Sequence, residues 1–347
     1  MKTRTLFGYA VGIAGSALFL AGCSSGGSSP ASGLPLPGAS GVADARTRFH
    51  PHLRWAAPDL AKTPRLLFLS DNASGNINIY SMPDLKLKAQ FNPIGSDLQG
   101  ECPDTNGAIY VTNAGSGWIG EVNRAGELWI PTYGQVPAPF SCAVNPINRE
   151  VAVTSNGSSG GNIRIFRPTD SGYRSSFSVP HMQTYFFDGY DRRGNLWVDG
   201  YTKNSTSIVA TCSGSRCRTI PISGGTIYQP GFVQYAVGQK TWYVADRKCG
   251  GRRRFCIYPV SAGGVLGKKI TLTDAHGKPV CDMFQGAITD AGSRVIVGGV
   301  DNGLVKNCGV TSVARWNFPA GDDPTHGTND VGASPSGAAI SAKAGGI

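Results

Sequence analysis

"AIYVTN", residues 108–113, is one of six short runs that can be laid over one another. The others are "LLFLSD" (66–71), "EVAVTS" (150–155), "NLWVDG" (195–200), "TWYVAD" (241–246) and "RVIVGG" (294–299). Each has apolar residues at its second and fourth places and small or turn-forming residues at its last two. Alternation of this kind in residues that suit a pleated surface reads as β-strand. The fourth-place residues are Leu69, Val111, Val153, Val198, Val244 and Val297, spaced 42, 42, 45, 46 and 53 residues apart. An interval near 45 residues holds about four short strands and their turns.

Flanking words recur in step. A small-residue word precedes each later run: "QGECPD" (99–104), "FSCAVN" (140–145), "FDGYDR" (187–192), "VQYAVG" (233–238) and "QGAITD" (285–290). A third strand such as "GNINIY" (75–80) or "GNIRIF" (161–166) follows, then a fourth such as "LKAQF" (87–91) or "KKITLT" (268–273). A repeat of this length built from four strands predicts an all-β fold, a β-propeller of four-stranded blades. The first repeat lacks its leading strand, and "SGAAIS" (336–341) has no strands after it. That last strand is expected to pair into the first blade and close a six-bladed ring, removing two open edges. The small residues of the leading words then have a packing cause: innermost strands crowd around the axis. Gly is 48 of 347 residues, about twice the ~7% average, which suits many tight turns.

These repeats resemble the NHL, SMP-30 and YncE group of propellers over residues 65–341. The resemblance is specific for fold and weak for activity. It raises one enzymatic expectation, because SMP-30 proteins hold a divalent metal at the channel mouth and hydrolyse lactones or similar esters. Oxygen ligands would be needed. The candidates are Asp71, Asn113 and Asp246 at equivalent second-strand ends, with Glu101 and Asp188 on leading strands. Asn and Asp at strand ends more commonly satisfy turn backbone groups, and the family's first leading-strand Glu has no counterpart in "SGAAIS", so the metal site is not carried over.

The chain opens with Lys2 and Arg4, runs apolar from Leu6 to Leu20, and closes on Ala21 and Gly22. This is the pattern of a secretory signal, and its apolar run is short of the roughly 20 residues of a permanent span. Leu20-Ala21-Gly22-Cys23 resembles the lipobox of bacterial lipoproteins, which implies lipidation of Cys23 and cleavage before it; the bland alternative is an ordinary cleavage site beside a chance cysteine. Ser24 implies an outer-membrane or cell-surface destination in a cell with two membranes. The expected division is a signal at 1–22, a flexible Ser/Gly/Pro-rich tether at 23–64, the propeller at 65–341 and a tail at 342–347. His50 and His52 in the tether read as incidental solvated residues.

Nine cysteines are present, and Cys23 accounts for the odd one. The other eight form an even set in an exported chain, where disulfides persist. Strand order suggests pairing Cys212 with Cys217 across a hairpin, Cys249 with Cys256 in the second-to-third strand loop of blade five, Cys281 with Cys308 in blade six, and Cys102 with Cys142 between neighbouring leading strands.

Losing Lys2 and Arg4 with the signal takes the formal net charge from +10 to +8. Outside the cytoplasm this excess does not point to nucleic acid. It fits either no specific partner or an anionic envelope glycan, lipid or protein. The loop "DRKCGGRRRFC" (246–256) gathers Arg247, Lys248, Arg252, Arg253 and Arg254 in and beside an expected disulfide ring, a candidate ligand face for carboxylate, phosphate or sulfate groups. A solvated turn is the alternative. No P-loop or EF-hand pattern occurs. The two function classes are a monomeric, membrane-anchored, non-catalytic binding or scaffolding platform without cofactor, and a metal-dependent hydrolase or lyase at the channel mouth.

Overall fold

The six aligned runs become the second strands of six antiparallel sheets in a computed structural model. It describes residues 48–49, 53–56, 60–92, 95, 97–129, 136–157, 160–168, 172–289, 294–300, 311–328 and 334–342. From the axis outward, blade 1 orders Pro335–Ala342, Arg65–Asp71, Ile77–Ser81 and Leu87–Phe91. Blade 2 orders Leu98–Pro103, Ile109–Asn113, Trp118–Val122 and Leu128–Trp129. Blade 3 comprises Pro139–Val144, Val151–Gly157, Gly160–Phe166 and Tyr173–Phe177, and blade 4 Met182–Tyr190, Asn195–Thr202, Ser207–Ser213 and Arg216–Ile220. Blade 5 is built from Pro230–Ala236, Thr241–Asp246, Cys256–Val260 and Ile270–Thr271, and blade 6 from Gly286–Thr289, Val295–Val300, Ser312–Asn317 and Gly321–Thr328. Innermost strands of successive blades contact one another all the way round, and blade 6 meets blade 1 through Pro335–Ala342.

Ring closure takes the form read from the sequence. Ile340 pairs with Leu67, Ala339 with Phe68 and Ala338 with Leu69, antiparallel. The chain's last strand is therefore the first blade's inner edge. Its hydrogen bonds satisfy backbone groups that would otherwise face the channel.

The fourth-place residues form the floor of the inter-blade core. Leu69 is 1% exposed, and Val111, Val153, Val198, Val244 and Val297 are fully buried. Blade-to-blade packing is aromatic in places: Trp197 of blade 4 stacks on Trp242 of blade 5 with ring centroids 4.5 Å apart.

The fifth places, which look like turn formers in the sequence, clip blades together instead. The Thr112 hydroxyl of blade 2 donates at 3.3 Å to the Phe140 carbonyl of blade 3's innermost strand. Thr154 of blade 3 does the same at 2.6 Å to Phe186 of blade 4, and Ser70 of blade 1 donates at 2.7 Å to Glu101 Oε1 of blade 2. Two glutamines extend the scheme with amide side chains that imitate a peptide. Gln234 accepts from the Ile288 N–H at 2.8 Å and donates to its carbonyl at 2.7 Å; Gln285 does both to Glu101, at 2.8 and 2.7 Å.

Inner-strand glycines are where blades come closest. A Cβ on Gly337 would sit 2.5 Å from the Gln99 carbonyl oxygen, and one on Gly100 would sit 2.7 Å from Ser141 Cα. No side chain fits at such distances.

Two features depart from the sequence reading. Within the expected 23–64 tether, Arg48–Phe49 pairs with Leu128–Trp129 and Leu53–Ala56 with Leu87–Phe91, giving blades 2 and 1 a fifth, outermost strand. The outer edges of those blades have unpaired backbone groups, and a short extended segment can cover them whatever its composition. The segment's histidines, His50 and His52, the signal, Cys23 and the tail beyond Ala342 lie outside the described residues.

Three of the expected disulfides are formed: Cys102–Cys142 between the innermost strands of blades 2 and 3, Cys212–Cys217 across the outer hairpin of blade 4, and Cys249–Cys256 in blade 5. Cys281 is also disulfide-bonded; Cys308, its expected partner, lies outside the described residues.

Replacing Gly337 with Val forces the closing strand off the Gln99 carbonyl. A loss of stability of about 2–3 kcal/mol or more is expected from overpacking and backbone displacement, read as a lower urea midpoint. A Gly337→Val protein that unfolds at the wild-type urea concentration would show that the closing strand does not approach blade 2 this tightly.

Candidate functional site

In a four-stranded blade the second-to-third strand loops share one face with the starts of the innermost strands. Phe140 lies at the start of blade 3's innermost strand, Phe186 and Phe187 within blade 4's, and Phe284 two residues ahead of blade 6's. Blades 3 and 6 stand opposite each other in a ring of six, yet the Phe140 and Phe284 ring centroids are 5.0 Å apart. Phe187 lies 5.4 Å from each, and Phe186 is 5.0 Å from Phe140. The rings meet across the axis and close the channel at this face with edge-on and tilted contacts.

Arg247 of blade 5 finishes this plug. Its guanidinium lies 4.5 Å above the Phe284 ring and binds Asp282 through two hydrogen bonds of 2.7 and 2.8 Å. A cation held over an aromatic face and forked onto a carboxylate is committed to structure. Of the five basic residues expected to form a ligand face, Arg247 therefore turns inward.

The other four remain at the surface. The loop that carries them starts from Asp246, whose buried Oδ1 accepts from the Gln229 N–H at 3.0 Å and the Lys248 N–H at 2.9 Å. Inside the Cys249–Cys256 ring the Cys249 N–H donates to the Arg254 carbonyl at 2.8 Å. Lys248, Arg252, Arg253 and Arg254 are exposed around this fixed backbone. The short covalent ring carries Arg252, Arg253 and Arg254, and Lys248 stands immediately before it.

Beneath the plug, the carboxyl groups near the axis are of a different kind. Glu101 is 1% exposed, and burial pushes its carboxyl from an ordinary 4.5 up to about 8, partly opposed by the Ser70 hydrogen bond; its Oε2 has no partner. Burial likewise raises Asp188 from 3.8 to about 8, with the neighbouring Ser141 hydroxyl opposing part of the shift, and neither carboxyl oxygen has a partner of good geometry. Asp199 accepts from the Phe187 N–H at 2.9 Å through Oδ1, and burial followed by the nearby Asp188 holds it well above the ordinary carboxyl range. These groups are largely neutral at pH 7.

The oxygen set named for a divalent metal does not fit one. Asp71 Oδ1 accepts from the Ser74 N–H and Asn113 Oδ1 from the Ser116 N–H, each at 2.7 Å, as turn caps. Asp246 is engaged in the same way, while Glu101 and Asp188 hold protons rather than negative charge. Among the described residues no three His, Cys, Asp or Glu side chains gather as a metal-holding group. The six-residue runs did not reveal the aromatic plug. The signal for it lay one step earlier, in the Phe that opens the leading words "FSCAVN" and "FDGYDR" and stands just before "QGAITD".

No protein-family model matches the chain, and no curated protein matches its sequence. Solved structures resemble it in fold. A chain from the crystal structure of a nidogen/laminin complex is similar with a TM-score of 0.59 at 13% identity, over 80% of this chain and 98% of that one. A protein of unknown function from Bacteroides caccae gives 0.58 at 15% identity, over 80% and 99%. A catalytically inactive virginiamycin B lyase from Staphylococcus aureus, crystallised with quinupristin, gives 0.52 at 12% identity, over 83% and 92%. Likeness at these identities supports the six-bladed propeller and carries no residue roles across.

The buried carboxyls make stability depend on pH. Glu101 and Asp188 bind protons more tightly folded than unfolded, so their contribution is complete below about pH 4, declines as the pH rises, and is gone above about 8. Urea midpoints are expected to fall between pH 5 and pH 8, by on the order of 1 kcal/mol per pH unit for each group. Glu101→Gln, which keeps the carbonyl that accepts from Ser70, should flatten that slope. An unchanged slope in this variant would mean that the Glu101 carboxyl is not protonated in the folded protein.

Proposed function

We propose that this chain is a lipid-anchored protein of the extracytoplasmic envelope, outer-membrane or surface-exposed where the cell has two membranes. On this reading the propeller is a monomeric, non-catalytic platform that binds an anionic envelope glycan. The observation that carries it is the stapled loop of blade 5, which holds Lys248, Arg252, Arg253 and Arg254 in the open beside a channel mouth that Phe140, Phe187, Phe284 and Arg247 have filled. A filled mouth leaves the loop face as the surface on which a ligand can be held. Spaced sulfate, phosphate or carboxylate groups suit three arginines on a stapled ring with a lysine beside it better than one small anion does, because each contact at an exposed site is weak and gains come from several at once. The anchor rests on the leader and on Leu20-Ala21-Gly22-Cys23. Among the described residues no helix is long and apolar enough to cross a membrane.

Dextran sulfate and neutral dextran, immobilised side by side, test the platform. Binding to the sulfated polymer alone, weakening with added salt and falling at least about tenfold in an Arg252→Ala, Arg253→Ala, Arg254→Ala protein, is the expected result. Equal binding by the triple variant would overturn the assignment of this loop.

The anchor is tested separately. Cys23→Ser is expected to abolish incorporation of labelled palmitate and to shift the protein from the membrane pellet to the soluble fraction. Undiminished labelling of that variant would remove Cys23 as the lipid site.

A further inference from the structure

A cavity of about 540 Å³ opens on the same face between the flank of blade 4 and the segment that leads into blade 5. Its walls are largely apolar, with Ile208, Val209, Ile220 and Ile227 prominent, and hydroxyls from Thr206 and Thr226 stand among them. The blade 5 side is held in place by backbone pairing: the Ser223 N–H donates to the Gly264 carbonyl at 3.0 Å and the Leu266 N–H to the Ser223 carbonyl at 2.9 Å. The cavity is thus bounded by the outer strands of blade 4 and a segment pinned to blade 5, and its volume lies within the roughly 300–1,000 Å³ of sites for small organic ligands.

One polar group in the lining is out of place. Asp199 is fully buried, its Oδ1 is taken by the Phe187 N–H, and its Oδ2 has no hydrogen-bond partner. A buried polar atom left unpaired is costly, and a lining position lets a bound molecule supply the missing partner. We propose that this cavity binds an uncharged organic molecule of two to four rings, gripped by the isoleucine walls and hydrogen-bonded through a carbonyl or ether oxygen to the Asp199 carboxyl. Burial raises that carboxyl well above the ordinary range, which favours the protonated form that can donate. No lysine or arginine lines the cavity, and His181 is the one lining side chain able to carry a positive charge. The site adjoins the arginine loop through Tyr228, whose ring a Cβ on Gly251 would meet at 3.5 Å, but includes none of the loop's cations. It does not depend on glycan binding.

Nile red, a neutral fused-ring dye with a carbonyl oxygen, is the probe. Titrated into the full chain, it is expected to bind one per chain with blue-shifted, enhanced emission. Thr226→Trp, at an exposed lip position, fills the cavity and should weaken binding at least about tenfold while leaving dextran sulfate binding unchanged. Asp199→Asn keeps an acceptor for Phe187 and a donor for the ligand and should bind within about twofold of wild type, whereas Asp199→Leu should lose about tenfold. Absence of saturable binding, equal binding by Thr226→Trp, or equal binding by a folded Asp199→Leu would each overturn the proposal. Loss of sulfated-polymer binding with Nile red retained would overturn only the platform reading.

Discussion

Six innermost strands must come near enough around one axis for their backbones to touch, and most of what is unusual in this chain follows from that crowding. Gly337 and Gly100 sit where a methyl group would overlap the next blade's main chain. Where there is room for a little more, the position is filled by a group that bonds across the gap: the hydroxyls of Ser70, Thr112 and Thr154, and the amides of Gln234 and Gln285. Hydrophobic burial between blades supplies the bulk of the cohesion. These short polar links decide register, because each is satisfied only when one blade stands at a single height against its neighbour.

The same crowding explains the state of the acidic groups. Carboxyls near the axis are cut off from water by inner strands on every side, and the aromatic plug seals one end. Desolvation then outweighs the hydrogen bonds that would favour the charged form, so Glu101 and Asp188 keep their protons. Exposed charge is instead displaced to the rim, on a loop fastened by Cys249 and Cys256. The interior is thus neutral and closed, beside a rim that is cationic and open.

Much of this architecture was legible in the letters. The apolar second and fourth places repeat because a strand packed on both faces has no alternative, and their spacing counts the blades. The fifth places were visible but ambiguous: a Thr near a strand end can cap a turn or bond sideways, and the choice depends on a blade some 30 residues away. Phe140 and Phe284 are 144 residues apart in number and meet only because opposite blades face one another, which no local pattern encodes. The added strands at Arg48–Phe49 and Leu53–Ala56 were illegible for another reason. They join edges already built, and backbone pairing at an edge does not require an alternating pattern.

Pairing of Pro335–Ala342 with Arg65–Asp71 has a consequence in time as well as in space. A ribosome that has made five and a half blades has made an open arc, with the inner edge of the first sheet bare and its last neighbour not yet written. The arc shuts only after Pro335–Ala342 has been made, some 270 residues behind the strand it joins. Until then the first and the newest wedge are each held by one flank alone, and a chain passed through a membrane before that moment would travel without a finished circle to resist it.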